Sequence, residues 1–275
     1  MNSRTFRRLP IVYLGYLAAG ILLLGPVAFM VLSGFHHNID ITVSPPKLGA
    51  PLTLANYRTL FGTLPFGRYI INSFIVAGGS TLIALFVGIP AAFVLAHLRL
   101  RAAAFFILLA RMAPGVLFVI PLYLMSVSAG APGNDVINYL FLIFAHLIIT
   151  LPLTIWLVLP YFEALPSELD EAALIDGASF TQRFSRVALP LIKPGISVAL
   201  VIGFIFSWNY FLFVLTLSNK NTVTLPVIAF NFIGQGTADW GGLMAAATMI
   251  SVPAFVLTAV AQKFLVRGIT AGAVK

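Results

Sequence analysis

The chain has 275 residues, of which 60% are hydrophobic and only 9% are charged, and its mean hydropathy is +1.02. This composition is typical of a membrane protein, and it argues against a soluble globular protein. The formal net charge of +8 does not indicate nucleic-acid binding, because the cationic residues are scattered at the ends of apolar segments. The absence of cysteine excludes disulfides and cysteine metal sites, and four widely spread histidines make any metal site improbable.

Six apolar segments predict six membrane-spanning helices, because each is long enough to cross the hydrocarbon core of a bilayer. They lie at about residues 11–33, 69–97, 102–127, 138–160, 194–218 and 244–265. The first segment is too long for a cleaved signal peptide, and no A-x-A-like site follows it, so we expect it to remain as an anchor. The expected fold is therefore an all-α membrane protein.

The cationic residues predict the orientation of these helices. Four of them fall on the side of the first outer segment: Lys47, Arg58, Arg68 and Lys220. Eleven fall on the opposite side: Arg4, Arg7, Arg8, Arg99, Arg101, Arg183, Arg186, Lys193, Lys263, Arg267 and Lys275. Positive charge is enriched on the cytoplasmic side of membrane proteins. We therefore expect a cytoplasmic N-terminus at 1–10, a membrane domain at 11–265, and a cytoplasmic tail at 266–275.

The segments between and within the spans carry further signals. The polar stretch after the first span contains a predicted short helix at Thr53–Phe61, expected at the outer surface. Six prolines fall inside the predicted spans: Pro26, Pro90, Pro114, Pro121, Pro152 and Pro253. Such breaks persist in lipid where neighbouring helices or a cavity satisfy the freed carbonyls. The set favours a bent, mobile bundle over a simple anchor.

One long polar stretch, Pro166–Pro194, separates the fourth and fifth spans and belongs to a predicted cytoplasmic loop at 161–194. Together with Glu163, which lies shortly before it, the stretch holds five of the eight carboxylates: Glu163, Glu168, Asp170, Glu171 and Asp176. Ser167 is expected to cap a first short helix and Gly177 to end it.

A second short helix is predicted directly after the first. Ser179 and Gln182 have the spacing of a capping box, and Pro190 is expected to end the helix. Its apolar side chains form one stripe with no evident core of their own: Phe180, Phe184, Val187 and Ala188. Two interpretations stay open, an interfacial helix on the membrane and a docking element for a partner protein. The acidic first helix favours docking, because it disfavours an anionic lipid surface.

The loop resembles a known motif. Glu171-Ala172-Ala173, then Gly177, then Val187-Ala188-Leu189-Pro190 have the spacing of the EAA loop of ATP-binding-cassette importer permeases. Stretches along most of the chain resemble the carbohydrate-uptake branch, including Ala55–Phe61, Arg111–Tyr123, Ser207–Phe213 and Asp239–Ala246. The chain is similar to the maltose-type G subunit of that family. It departs from the family pattern at His36–Ile41, where a more basic segment is expected.

The resemblance implies a non-enzymatic permease subunit of a binding-protein-dependent importer in the bacterial inner membrane. Such a subunit moves a sugar or sugar derivative into the cytoplasm by ATP-driven alternating access. The implied partners are a homologous second permease subunit, two ATPase subunits, a periplasmic or lipid-anchored binding protein, and membrane lipid, with no nucleic acid. The chain itself is expected to hold no cofactor or metal, since ATP and Mg²⁺ would bind to the ATPase subunits.

The resemblance also implies which residues couple the chain to its ATPase: Glu171, Ala172, Ala173, Asp176, Gly177, Leu189 and Pro190. For Glu171 the alternative is an ordinary solvated charge. Candidates for the substrate path are Trp208, Asn209, Tyr210, Asn72 and Arg111, because aromatic rings with amides suit sugars and intramembrane charges are commonly functional. Their alternative is packing between helices, as expected for His146. The small polar tail is expected to reach between the ATPases, with a frayed terminus as the alternative.

Other functions stay open at this stage. A secondary transporter is disfavoured, because no inverted repeat is visible and acidic residues are missing from the predicted spans. A membrane enzyme is disfavoured, because no paired carboxylates or nucleophile–base set lies near the spans. A permease for a non-sugar solute, such as a polyol or glycerol phosphate, would share these motifs and stays an alternative.

Overall fold

The computed structural model of the chain describes residues 3–233 and 238–273, with side chains for 12–233, 238–260 and 262. Throughout these residues the regular structure is helical. The α-helices are α1 Ser3–Gly34, α2 Asn38–Thr42, α3 Ala55–Thr63, α4 Phe66–His97, α5 Arg101–Met112, α6 Val119–Ser128, α7 Asp135–Glu163, α8 Ser167–Ile175, α9 Phe180–Gln182, α10 Leu189–Leu191, α11 Lys193–Trp208, α12 Leu212–Leu217, α13 Leu225–Asn231 and α14 Trp240–Ala273. Short 3₁₀ segments cover Gly115–Phe118 and Ala131–Gly133, and a π-helical segment covers Arg183–Ala188.

Four of these helices are long and apolar enough to cross a membrane. The crossing stretches are Val12–Gly34, Phe66–His97, Asp135–Glu163 and Trp240–Val260. Two bent pairs raise the number to six if each pair is one span: Arg101–Met112 with Gly115–Ser128, and Phe180–Leu191 with Lys193–Trp208. The all-α prediction is confirmed for the described residues.

The third predicted span, 102–127, is bent at one of the prolines that were expected to interrupt the spans. Helix α5 ends at Met112, and the axis of the following segment turns by 87°. Ala113 is extended, with φ −64° and ψ 124°. Pro114 explains the break, because a proline disfavours helical geometry at the preceding residue and removes a backbone donor.

The fifth predicted span is also shorter than the expected 194–218. Helix α11 ends at Trp208, and α12 starts again only at Leu212. The side-chain amide of Asn209 donates to the carbonyl of Ile205 at 2.9 Å. A short amide side chain that bonds the local backbone competes with helix continuation, which accounts for the early end.

The ends of the chain are helical further than expected. Helix α1 begins at Ser3, within the predicted N-terminal segment, and α14 continues to Ala273, within the predicted tail. Val274 and Lys275 lie outside the described residues. How the tail side chains are used stays a prediction.

The described chain divides into two compact units. The first contains the residues up to Phe66 together with Ala229–Val252. Its polar ties include Asn56, whose amide donates to the carbonyls of Gly34 at 2.9 Å and His36 at 2.8 Å. The predicted helix at Thr53–Phe61 is present as α3.

The second unit contains Gly67–Ile228 and the residues from Pro253 onward. Its core lies where α7 packs against α11 and α5. The buried residues at one end of this core come mainly from α4, α7, α11 and the residue just before α11, and they include Phe93, Val158, Phe162, Ile192 and Ala199. The loop between α7 and α11 is built on this end of the core.

Candidate functional site: the loop between α7 and α11

Helix α8 forms the first arm of the loop. It begins at Ser167, and Pro166 occupies the cap position without a side-chain hydrogen bond, so the prediction that Ser167 is the cap was wrong by one position. Proline suits a helix start because its φ is already helical. Glu168 and Asp170 lie in the first turn, where the helix dipole favours negative charge.

Gly177 ends the first arm as predicted. Its φ is +76°, in the left-handed region. Its N–H donates to the carbonyl of Leu174 at 3.0 Å, and the N–H of Ala178 donates to the carbonyl of Ala173 at 2.9 Å. These two bonds are the pair that defines a Schellman motif, in which glycine is the favoured residue.

The second arm begins with the predicted capping box. The N–H of Gln182 donates to Ser179 Oγ at 3.3 Å, and the N–H of Ser179 donates to Gln182 Oε1 at 2.8 Å. The prediction that Pro190 ends this helix was wrong, because helical structure continues to Leu191. The π-helical turn over Arg183–Ala188 explains the difference. A proline ring clashes with the carbonyl four residues earlier, here that of Arg186, and the wider π-turn accommodates it.

The apolar stripe of the second arm packs against the chain itself, which corrects the expectation that it has no core. The rings of Phe180 and Phe184 each lie 5.1 Å from the ring of Phe93 in α4. Ala188 is buried beside Phe162 of α7. The stripe therefore attaches the loop to the ends of α4 and α7, and the surface left for a partner lies elsewhere.

An ionic cluster centred on Asp170 joins the two arms. Arg183 Nη1 donates to Asp170 Oδ2 at 2.7 Å, and His97 Nδ1 at the end of α4 lies 3.5 Å from the same oxygen. The Arg183 side chain is only 12% exposed, and its guanidinium carbon lies 5.7 Å from the centre of the Phe180 ring. Charge-assisted bonds of this length are stronger than neutral ones. Asp170, Arg183 and His97 had no role in the site predicted from the sequence.

The exposed surface of the loop lies at the end of α8. Glu171, Ala172 and Asp176 are exposed beside Gly177, and Ala173 is half-buried. Two large apolar side chains stand among them, Leu174 at 58% and Ile175 at 87% exposure. We call Glu171, Ala172, Leu174, Ile175 and Asp176 the α8 surface.

The remaining predicted coupling residues belong to the second arm. Leu189 is half-buried against the core cluster of α4, α7 and α11, whereas Pro190 is exposed. Five of the seven predicted coupling residues thus share the end of α8, and these two do not. The apolar side chains of Leu174 and Ile175 were missed, although both follow the quoted motif directly in the sequence.

Three predicted substrate-path residues follow one another where α11 ends. Trp208 is 2% exposed, with its ring stacked on Phe204 at 5.4 Å and edge-on to Phe74 at 4.9 Å. Its ring therefore packs within the protein, and a role of Trp208 in the substrate path stays a prediction. Asn209 is exposed, and Tyr210 is half-buried with its ring 4.8 Å from that of Phe213. A role in substrate contact stays a prediction for Asn209 and Tyr210.

Asn72 has hydrogen-bond partners within the protein, and its assignment to the substrate path stays a prediction. It is fully buried, its amide donates to the carbonyls of Asn221 at 2.8 Å and Val223 at 2.7 Å, and its oxygen accepts from the Tyr139 hydroxyl at 2.6 Å. Both of the bonds that the Asn72 amide nitrogen donates, and the one that its oxygen accepts, are therefore made within the protein. Asn72 therefore fixes the connection between α12 and α13 against α4.

Arg111 and His146 contact aromatic rings. The guanidinium carbon of Arg111 lies 4.6 Å from the centre of the Trp156 ring, a cation–π contact between α5 and α7. His146 is buried with Nδ1 2.7 Å from the carbonyl of Leu142, in agreement with the packing role expected for it. Among the residues that the structure describes, no group of three histidine or carboxylate side chains is placed to hold a metal ion.

The sequence that forms this loop matches a known protein family. Residues 84–271 match the family described as binding-protein-dependent transport system inner membrane component. The matched range covers more than half of the chain and includes both arms of the loop. The chain belongs to this family. It is called the permease below.

Relatives in several organisms resemble the permease over its whole length. A probable ABC transporter permease of Sinorhizobium fredii is 34% identical, with 100% of this chain and 98% of the relative covered. The trehalose/maltose transport system permease of Thermococcus litoralis is 32% identical, with 100% and 99% covered.

The fold also resembles solved structures of one bacterial ABC transporter. A chain of the transporter involved in import of the acidic polysaccharide alginate matches with a TM-score of 0.74 and 20% identity, covering 96% of the permease and 98% of that chain. The alginate transporter in complex with a pentasaccharide-bound periplasmic protein matches with a TM-score of 0.66 and 20% identity, with 92% and 96% covered. At this identity the likeness describes the fold alone.

Proposed function

We propose that the permease is one membrane subunit of a binding-protein-dependent importer that moves a sugar or sugar derivative into the cytoplasm. The observation that carries this proposal is the α8 surface. Leu174 and Ile175 expose apolar side chains beside the carboxylate of Glu171, on a short helix that is held rigidly at its base. An exposed apolar pair beside a charge is the pattern by which a helix binds into a groove of a partner protein.

The partner proposed for this surface is an ATPase subunit. The motif that resembles the EAA loop supplies the α8 surface, and in that family the loop sits in a cleft of the ATPase. Two ATPase subunits would bind ATP and Mg²⁺, and a second permease subunit of related sequence would complete a heterodimer. A periplasmic or lipid-anchored binding protein would deliver the substrate. The permease itself would then catalyse no chemical step.

The topology that serves this function has six spans. The bent pair Arg101–Met112 with Gly115–Ser128 counts as one span, and the fifth span begins at α11. Both termini lie in the cytoplasm, and the loop between α7 and α11 lies on the same side. The protein would lie in the bacterial inner membrane. Four cations would then be on its outer side: Lys47, Arg58, Arg68 and Lys220.

The contacts of the loop suggest how movement at the ATPase would reach the membrane helices. Phe180 and Phe184 pack on Phe93 of α4, and Asp170 bonds Arg183 and faces His97 of the same helix. A displacement of α8 would therefore carry the end of α4 with it rather than deform the loop. Closing of two ATPase subunits would in this way become a rigid-body rotation of packed helices.

The sugar class of the substrate rests on relatives. The Thermococcus litoralis relative is named for trehalose and maltose, and a Streptomyces coelicolor relative with 32% identity is named for diacetylchitobiose uptake. Exposed Asn209 and half-buried Tyr210 are the side chains proposed to meet a sugar, through amide hydrogen bonds and ring contact.

Reconstitution tests this function directly. The permease, its proposed second permease and ATPase subunits, and the proposed binding protein would be placed in liposomes with ATP. We expect uptake of a radiolabelled disaccharide only in the full set, and no uptake by the permease alone. Uptake of glycerol phosphate but no sugar would reject the sugar class, and ATP-driven uptake by the permease alone would reject the subunit assignment.

A further inference from the structure

The turn between α4 and α5 has an unusual residue in a strained position. The N–H of Arg99 donates to the carbonyl of Ala96 at 3.2 Å, and the N–H of Leu100 donates to the carbonyl of Leu95 at 2.9 Å. These bonds form a Schellman motif in which Arg99 has a φ of +51°. Glycine is the usual residue there, because a side chain makes left-handed geometry costly. An arginine at this position calls for a reason outside the backbone.

A cavity of about 600 Å³ lies beside this turn. Arg99 and Arg101 line it from the turn, and Leu159 and Glu163 line it from the end of α7. Leu95 and Leu100 add apolar walls. The cavity therefore combines two cations, one carboxylate and an aliphatic lining, at the place where two membrane-spanning helices end together.

Among the described residues, no ion pair involves Arg99, Arg101 or Glu163. Arg99 and Arg101 are both exposed, and the ion pairs found there join other residues. Helix α5 starts at Arg101 without a side-chain cap, and the N–H of Arg101 donates to the carbonyl of Arg99 at 2.8 Å. Two guanidinium groups beside a helix N-terminus suit a phosphate, which accepts bonds from both.

The position of the cavity along the helices indicates where the phosphate comes from. Helices α4 and α7 are both long and apolar enough to cross a membrane, over Phe66–His97 and Asp135–Glu163, and the cavity lies where both of them end. The neighbouring side chains of Leu98 at 56% and Phe105 at 57% exposure extend an apolar surface along these helix ends. Basic pockets between membrane helices at this level bind lipid headgroups.

We propose that this cavity binds a membrane phospholipid whose headgroup carries a primary ammonium beside its phosphate, as phosphatidylethanolamine does. The phosphate would bond to Arg99 and Arg101, and the ammonium would donate to the Glu163 carboxylate. The acyl chains would lie along the apolar surface of α4 and α5. The proposal requires only that α4 and α7 span the membrane, and it does not depend on the transported substrate.

Native mass spectrometry of the full-length permease in mild detergent tests this site. The probes are phosphatidylethanolamine, phosphatidylglycerol and phosphatidylcholine with identical acyl chains. We expect phosphatidylethanolamine to be retained best, because phosphatidylglycerol lacks the ammonium and the quaternary ammonium of phosphatidylcholine donates no hydrogen bond. Equal retention of all three lipids would overturn the proposal, as would equally tight binding of free phosphoethanolamine.

Three variants locate the binding. Arg99→Gly removes the guanidinium while relieving the strained turn, so the protein should fold at least as well and yet retain about fivefold less lipid, and Arg101→Gln should act similarly. Glu163→Gln should lower retention of phosphatidylethanolamine to that of phosphatidylglycerol. Arg58→Gln, which alters an exposed arginine in the other unit, is the matched control. Unchanged lipid retention in both Arg99→Gly and Arg101→Gln would overturn the assignment.

Discussion

Arg183 donates a charge-assisted hydrogen bond of 2.7 Å to Asp170, and this bond closes the two arms of the loop on each other. The two residues lie on opposite sides of the turn at Gly177. Arg183 is mostly buried, with its guanidinium facing the Phe180 ring, so the pair is less screened by water than a surface ion pair. The bond therefore joins the two arms to each other, and ring and ionic contacts join them to Phe93 and His97 of α4.

The first prediction concerns this bond. Asp170→Asn should destabilise the loop by about 1 kcal/mol, because the buried guanidinium of Arg183 loses its anionic acceptor. A double-mutant cycle of Asp170→Asn with Arg183→Gln, followed by thermal unfolding of the purified permease, measures the coupling energy. Asp176→Asn, at the exposed residue that directly follows the same helix, is the control. Fully additive effects of the two substitutions would mean that the bond contributes nothing.

The second prediction concerns Gly177. Its φ of +76° lies in the left-handed region, and a Cβ there would meet no atom within 4 Å, so any cost of substitution is conformational. Gly177→Val should therefore cost at least ~1 kcal/mol and misplace α8, while the spans still insert. Gly177→Asn is the matched control, since asparagine tolerates this geometry better.

Stimulated ATPase activity of the assembled complex is the measurement for Gly177. We expect it to fall in Gly177→Val and to be largely kept in Gly177→Asn. Full activity and full transport in Gly177→Val would remove the turn from the coupling mechanism and return the loop to the interfacial-helix interpretation.

The third prediction distinguishes Asn72 from Asn209, which were both candidates for the substrate path. Asn72→Ala should lower the yield of folded permease, because two buried carbonyls and the Tyr139 hydroxyl lose their partner, at about 1–3 kcal/mol for each unsatisfied group. Asn209→Ala should keep the yield and lower uptake, since Asn209 is exposed and bonds only to its own helix end among the contacts seen. Yield and uptake measured together decide between them. A parallel loss of both in Asn209→Ala would make it a packing residue too.

The parts of the loop that depend on local geometry could be predicted from the sequence. Gly177 and the box of Ser179 with Gln182 are set by bonds within five residues, so composition and spacing were enough. Arg99 shows the limit of such reasoning, because its left-handed turn contains no glycine to signal it. The break at Pro114 could be expected from the proline itself, whereas the end of α11 at Trp208 was missed because a continuous apolar run hides it.

The long-range contacts could not be predicted. Phe93 meets Phe180 and Phe184 across nearly ninety residues of sequence, and no periodicity within the loop reveals a receiving surface on α4. Asn72 has an amide side chain of the kind that binds sugars, and only its hydrogen bonds to Asn221 and Val223 reveal a structural role. A polar residue within a membrane helix fits both roles until its partners are known.

The central claim is that the α8 surface binds an ATPase subunit, and Ile175 tests it best because it is the most exposed apolar residue of that surface, at 87%. Ile175→Asp leaves the Asp170–Arg183 bond and the stripe on Phe93 untouched. Ile39→Asp, at a 71% exposed isoleucine in the other unit, is the matched control.

The deciding measurement is a detergent pull-down of the tagged permease, with the ATPase and second permease subunits quantified together. The account predicts that Ile175→Asp loses at least about tenfold of the ATPase, as a buried charge at a binding hot spot does, and keeps the second permease. The control Ile39→Asp should keep both. Full recovery of the ATPase with Ile175→Asp, together with full ATP-driven uptake, would contradict the account.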